Sequence, residues 1–384
     1  MKTLLPVVLG LAWISLAQAQ LTIPGADGSD GELNITSNTV IDLRLAVTGV
    51  WDANNAANAG KGIYDPNKWA IVFKYSSVTI ASNATVTFTN HPTHAPVVWL
   101  VNGEVTINGK LRLDGRYDTD PSHLSEPGPG GFRGGLTAQA GLGVGPGFGP
   151  GSFSTTGHGA YSTITPYGNP QIIPLIGGSG GSGRSDWNGS GGGGAILIAA
   201  SGSISVSSSG VISANGGQGT VHLGSGGAVR CIADQISGAG RIEASSQFPG
   251  RIRLEANSAS PSLSLNPPTA VFSPNPVKLW PDASAPTVKV ISVAGQSAPL
   301  DPKAEISPTG SDLTIANSSA VAILLQTSNF PTNGIVNVYI KPRNAAESIL
   351  QASYVSGDTN SATWQVSTTL PVNHTVIQAR AVAN

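Results

Sequence analysis

The stretch LDGRYDTDPSH gathers Asp114, Arg116, Asp118, Asp120 and His123 within ten residues. Carboxylates this close can chelate Ca²⁺, or can share acid–base work with one protonated and the other ionised. Sugar hydrolysis by such a pair needs the two carboxyls at a defined separation across a cleft. The plainer reading is a polar loop with Asp at turn positions. His158, in the tripeptide Gly157-His158-Gly159, adds a further candidate base. Tyr161, Tyr167 and Trp187 lie in the same Gly-rich region. Their flat faces and polar tips suit sugar rings, and suit packing equally well.

Other candidates carry less chemistry. His91 and His94 in HPTH are a possible metal pair, but a Pro stands between them and no Cys or further His is close. Turn residues are the better reading, and no metal site is assigned. IGGSGGSGRSDWNGSGGGG satisfies G-x-G-x-x-G several times over, yet AILIAASGSISV, a strand pattern, follows it and no GK[ST] occurs. A phosphate cradle needs a helix there, so nucleotide binding is excluded. RTX-type Ca²⁺ repeats place an Asp in each unit, and this stretch has Asp186 alone. No cofactor is expected, and Ca²⁺ has no support beyond the carboxylates around Asp118. No G-x-S-x-G nucleophile elbow occurs either.

Composition bounds the class. Charged residues are 11% of the 384-residue chain and net charge is -1, which gives no electrostatic footprint for nucleic acid or an anionic membrane. Lys2, an apolar run from Leu4 to Leu16 and Ala17-Gln18-Ala19 form the three parts of a signal peptide, 1–19. That run is too short to span a bilayer, and no later stretch is apolar enough. An exported chain with one cysteine, Cys231, has no internal disulfide and relies on packing and backbone hydrogen bonds. Cys231 alternates with Val229 and Ala233 and reads as a buried apolar residue.

Short alternating strands fill residues 34–116. PVVWLVNGEVTINGKLRLDGR has a three-strand order that recurs in GAILIAASGSISVSSSGVISANGG, GAVRCIADQISGAGRIEASS and, partially, GRIRLEA. A coil that cannot bury its own face implies stacking. The expectation is an all-β chain. Residues 20–260 form a right-handed parallel β-helix-like solenoid with a long Gly-rich insert at about 117–193, with an antiparallel sandwich or jelly roll as the competing architecture. Ile196 and Ile198 would stack near Val229 and Cys231 and over Val98 and Leu100. The insert holds aromatic residues and QIIPLIGG, anchors that a spacer has no need of, so it is expected to be ordered, with Trp187 and Pro174-Leu175-Ile176 holding it. Arg241, Arg251, Arg253, Glu243 and Glu255 alternate with apolar residues and read as a solvated outer face. Residues 261–286 read as a Pro-rich linker, and 287–384, with strand patterns every ten residues or so, as an Ig-like β-sandwich packed on Trp364.

PGPGGFRGG, YGNPQIIPLIGGSGG and GGGGAILIAASGSISVSSSGVISANGG resemble a group of uncharacterised secreted Gly-rich bacterial proteins over about residues 95–255. The whole layout is loosely similar to adhesin-like parallel β-helix proteins with an Ig-like C-terminal module. Asp118/Asp120, then Gly157-His158-Gly159, then Arg251-Ile252-Arg253 faintly resemble polygalacturonase-type β-helix hydrolases. The acidic tripeptide beginning with Asn is absent, however, the last basic residue is Arg, and the spacings do not fit adjacent coils. The resemblance and the composition together imply a secreted or cell-surface structural or adhesive protein that contacts carbohydrate or envelope and matrix components. It would bind no nucleic acid, span no membrane and catalyse nothing. The alternative is a polysaccharide lyase or glycoside hydrolase of β-helix type, with a carboxylate-lined groove.

Overall fold

The computed structural model describes residues 21–118, 125–135, 141, 169–183, 188–218, 223–246, 248–260, 262–303, 311–316, 319–342, 348–372 and 374–382. The expected signal peptide lies outside them. Among the described residues there is no α-helix, only two short 3₁₀ turns, Leu43–Leu45 and Ala56–Asn58, beside a long series of β-strands. Among the described residues no helix is long and apolar enough to cross a membrane.

Two large, mainly parallel sheets, of thirteen and six strands, occupy the chain up to Phe272. Their pairing follows the sequence repeat. Val97–Val101 pairs with Ala195–Ala200, which pairs with Ala228–Ile232 and then with Arg251–Glu255, all in parallel. The second strands, Val105–Ile107, Ser203–Val206, Gln235–Gly238 and Ser258–Ala259, form their own parallel row. The third strands, Lys110–Arg112, Val211–Ser213, Arg241–Glu243 and Ser264–Asn266, form the six-stranded sheet with Thr85–Thr89 and Thr39–Asp42. Parallel pairing displaces the antiparallel sandwich as the architecture of this part.

The register explains the hydrophobic pattern. Phe73, Trp99, Ile198, Cys231 and Leu254 form one column, and Ile71, Val97, Ile196, Val229 and Ile252 another. Val86, Leu111, Ile212, Ile242 and Leu265 form the facing column of the smaller sheet. All of these belong to one continuous core. Cys231 is fully buried in it, and burial pushes its thiol up to about 12. One expected pairing is off by a residue: Ile196 and Ile198 lie beside Val97 and Trp99, not Val98 and Leu100. Side chains alternate between the faces of a strand, so this shift moves the pair to the other face. Val98 and Leu100 instead join Leu197, Ala199 and Ile232 in a separate cluster covered by Leu21, Ile23 and Leu279. This wall is buried on both faces, which is why VVWLV and AILIAA are unbroken apolar runs.

The cover of that outer cluster comes partly from the Pro-rich stretch 261–286. Ser264–Asn266 and Val271–Phe272 extend the parallel rows, Leu279 is buried, and Trp280 meets Trp51 edge-on at 5.3 Å. An ion network pins the same segment. Arg230, 2% exposed, holds Glu255 at 2.8 and 3.2 Å and donates to the Lys278 carbonyl at 2.7 Å, while Arg253 reaches the same carboxylate at 2.6 Å. The solvated charged face expected there is therefore half right. Arg241 is exposed and its partner Glu243 half-buried, but Glu255 is buried.

Glycines close the repeats. Gly194, Gly227 and Gly250 each immediately precede a first strand and donate to the carbonyl ending the previous repeat, at Leu113, Ala214 and Ala244. Beyond them, segments within 125–135, 177–183, 188–194, 214–217 and 224–227 lie outside any strand yet bond each other. Gly128 N–H donates to the Gly192 carbonyl, Gly192 N–H to that of Phe132, Phe132 N–H to that of Gly178, and Gly178 N–H to that of Gly193. The described parts of the insert are thus ordered and mostly buried. Ile172 packs on Ala195 and Ala228, and Leu175 is half-buried against the same cluster, while Pro174 is exposed and Trp187 lies outside the described residues.

The C-terminal part has two antiparallel sheets, of five and three strands, from Thr287 to Val382. They share one core in which Trp364 is buried, donates to the Thr327 hydroxyl at 2.9 Å and meets Tyr354 edge-on at 5.6 Å.

Two stability outcomes follow from the glycine corners and the buried ion network. A Cβ on Gly227 would overlap the Gly194 carbonyl oxygen, whereas one on Gly49 meets only Ile63 at 3.5 Å. Gly227→Ala should cost about 3 kcal/mol or more in urea unfolding, and Gly49→Ala far less. Glu255→Gln leaves two guanidiniums without their anion and should cost about 3–5 kcal/mol, against less than about 1 kcal/mol for Arg241→Ala.

Candidate functional site

The third strand of one repeat, Lys110–Arg112, leads directly into LDGR. Its pairing continues past the strand end, because Leu113 N–H donates to the Ser213 carbonyl and Gly115 N–H to that of Asn215. Asp114 is therefore held against the next repeat. Its carboxylate accepts from the Ser213 hydroxyl at 2.9 Å and from the Asn215 amide at 2.8 Å. Burial pushes its pKa above the usual carboxylate value, while those two hydrogen bonds and Arg112 oppose the rise.

Arg112 and Arg116 flank Asp114 and are exposed. Arg116 is fixed by its backbone: its N–H donates to the Glu126 carbonyl and its own carbonyl accepts from Gly191. Asp118 is half-buried, and its amide donates to the Ser125 hydroxyl at 3.0 Å. Of the candidates from the sequence, then, the structure brings Asp114, Arg116 and Asp118 to one region. Asp120, His123, His158, Tyr161, Tyr167 and Trp187 lie outside the described residues.

A groove of about 520 Å³ opens beside this segment. Arg44, Arg112, Arg116 and Arg133 line it, together with Asp114, Glu126, His91 and His94. Arg44 is paired with Asp42 at 2.7 Å and Arg133 with Glu126 at 3.0 Å. Three separate stretches of chain meet there. The 3₁₀ turn brings Arg44, the HPTH turn brings both histidines, and the glycine-rich chain after Ser125 brings Glu126 and Arg133. Asn90 ties two of these together by donating to the Pro127 carbonyl at 2.8 Å, and Gly130 N–H donates to the His94 carbonyl at 2.7 Å.

The two histidines are not the simple surface turn residues that HPTH suggested. His91 is half-buried, bonds the Thr93 hydroxyl at 2.7 Å and lies over Tyr64 at 4.3 Å. Burial lowers its pKa, against the opposing field of Asp301. Asp301, from the start of the C-terminal part, accepts a short hydrogen bond from the Tyr64 hydroxyl. His94 has a left-handed backbone, φ 53°, and its Nδ1 is buried with no hydrogen-bond partner. Burial, with smaller pushes from Arg133 and His91, lowers its pKa to about 3. The ring is therefore neutral at ordinary pH, and its two nitrogens offer one donor and one acceptor. Among the described residues, no group of three or more His, Cys, Asp or Glu is arranged to hold a metal ion.

Sequence reasoning missed Arg44, Arg112, Arg133 and Glu126. Arg112 had a readable signal, since it alternates with Lys110 about the buried Leu111 and so must face outward. The other three come from remote segments and carried none. Comparison with protein-family models, with curated proteins and with solved structures found no match to this chain.

The neutral state of His94 has a measurable consequence. An unfolded His takes a proton near pH 6.5, whereas the folded ring resists it until about 3. The folded state therefore binds fewer protons through that window, and stability is full above pH 6.5 and falls as pH drops. The slope near pH 5 should approach about 1.4 kcal/mol per pH unit. Denaturant melts between pH 4 and 7 should show this slope in the native chain and a flatter one in His94→Gln.

Proposed function

We propose that this chain is a secreted or cell-surface structural or adhesive protein: a right-handed parallel β-helix stalk bearing an immunoglobulin-like C-terminal module, which contacts carbohydrate beside LDGR. The observation that carries the reading is the unbroken parallel register through successive three-strand repeats, with one apolar core behind it. Stacked repeats of this kind make stiff, elongated bodies with long lateral surfaces. Right-handed connection is the rule for parallel strands joined by crossovers. The groove supports the ligand class: exposed guanidiniums, a neutral imidazole and a carboxylate in one concavity suit a hydroxyl-rich chain.

The enzymatic alternative, a β-helix lyase or hydrolase, rests on Asp114, whose raised pKa and place in the groove suit a general acid. Its two hydrogen bonds from Ser213 and Asn215 give the same carboxylate a structural role. The two readings part in a combined glycan-array and polysaccharide-degradation screen on the secreted chain. Binding without product release is expected, and Asp114→Asn, Asp118→Ala and Asp120→Ala should leave no cleavage to lose. Reproducible cleavage abolished by any of these changes would replace the structural reading with the enzymatic one.

A further inference from the structure

Arg112 and Arg116 differ from the other two arginines of the groove. Arg44 and Arg133 are each neutralised by a carboxylate of their own, Asp42 and Glu126. Asp114, which feels the Arg112 charge, accepts its hydrogen bonds from Ser213 and Asn215, which are neutral donors. Among the described residues neither Arg112 nor Arg116 enters an ion pair or a side-chain hydrogen bond, and both are exposed. In a chain of net charge -1 with only 11% charged residues, the groove thus holds two paired guanidiniums, Arg44 and Arg133, and two more, Arg112 and Arg116, beside the single carboxylate of Asp114.

A second observation comes from His94. It lines the same groove, its Nδ1 is buried without a partner, and its backbone is held in the left-handed region. Such a conformation is costly for a residue with a side chain and persists where the surroundings impose it. Here the Gly130 amide, bonded to the His94 carbonyl, and Trp69, bonded to the Thr93 carbonyl at 3.0 Å, impose it. A buried polar atom left unpaired is likewise costly unless something supplies its hydrogen bond. The neutral ring adds no charge and matches a hydroxyl, while a guanidinium matches a carboxylate or sulfate through two parallel N–H···O bonds.

We propose that this groove binds an acidic polysaccharide, with Arg112 and Arg116 each taking a carboxylate or sulfate of the chain and His94 bonding a sugar hydroxyl between them. Four residues of backbone separate the two arginines by at most about 14 Å, within the reach of successive charged groups on one polymer. This assignment rests on the carbohydrate reading above and narrows it to an anionic class. Duplex nucleic acid is the weaker fit, because two free guanidiniums fall short of the six to ten phosphate contacts typical of such interfaces.

The test is affinity electrophoresis and calorimetry of the whole secreted chain against polygalacturonate, its methyl-esterified form, sulfated dextran, neutral dextran and duplex DNA. Binding to the acidic polymers is expected, weakening with added salt and lost on esterification. Arg112→Gln/Arg116→Gln should weaken it at least tenfold and His94→Ala severalfold. Arg241→Ala, on an exposed arginine elsewhere, should leave it unchanged. Both arginines are exposed, so the double variant should keep the native thermal midpoint, which shows that it still folds. Equal binding to the esterified or neutral polymers, insensitive to the arginines, would overturn the anionic assignment and leave the carbohydrate reading standing. Binding to duplex DNA as tight as to the acidic polymers would overturn it as well. No binding to any glycan would remove both.

Discussion

Backbone meets backbone without a side chain between them wherever the three-strand repeats turn the corner, and the architecture depends on that approach. A Cβ on Gly193 would overlap the Ala214 carbonyl oxygen, one on Gly226 that of Ala244, and one on Gly250 that of Gly227. Each of these glycines instead lets one repeat lie directly on the next, and each donates its amide to a carbonyl of a neighbouring segment. Buried amides and carbonyls need partners, and here other glycine segments supply them in place of a sheet. The spacing between repeats is therefore fixed at the corners as firmly as within the strands. The inward columns of Val, Ile, Leu and Trp99 can then stack in register.

The same constraint shapes the groove. The chain after Ser125 is drawn into the glycine layer, which carries Glu126 and Arg133 past the end of Lys110–Arg112. Because Leu113 and Gly115 still bond the following repeat, the backbone of LDGR is fixed, with Asp114 turned toward Ser213 and its neighbouring arginines exposed. Locking the acid while freeing the bases is what makes the groove cationic in a nearly neutral chain. In the larger sheet, the buried Arg230–Glu255 pair does the reverse. It satisfies a charge inside and pins the chain that carries Leu279 and Trp280.

Much of this was legible in the amino-acid sequence, and the legible part has a local physical basis. The three-strand repeat could be read because strand periodicity and small corner residues are properties of consecutive positions, and the parallel pairing of GAILIAAS with GAVRCIAD follows that repeat. The burial of Cys231 was readable from alternation. The face of Val98 was not, since a one-residue choice of register inverts a strand that is apolar on both sides and alternation offers nothing to break the tie. Glu255 looked like a solvated partner because its burial depends on Arg230 and on the chain near Lys278, more than twenty residues away.

For the candidate site the division is sharper. Residue order alone determined that the chain is β-rich, that its apolar and small residues alternate so as to demand stacking, and that acids and bases gather at LDGR. Those are consequences of periodicity and composition. Only the tertiary structure decided which acid is engaged, which arginines stay free, and that HPTH forms the wall of a groove rather than an isolated turn. Hydrogen bonds such as Ser213 to Asp114 and Gly130 to His94 join residues 36 to 99 positions apart, and no local pattern encodes which of them will form.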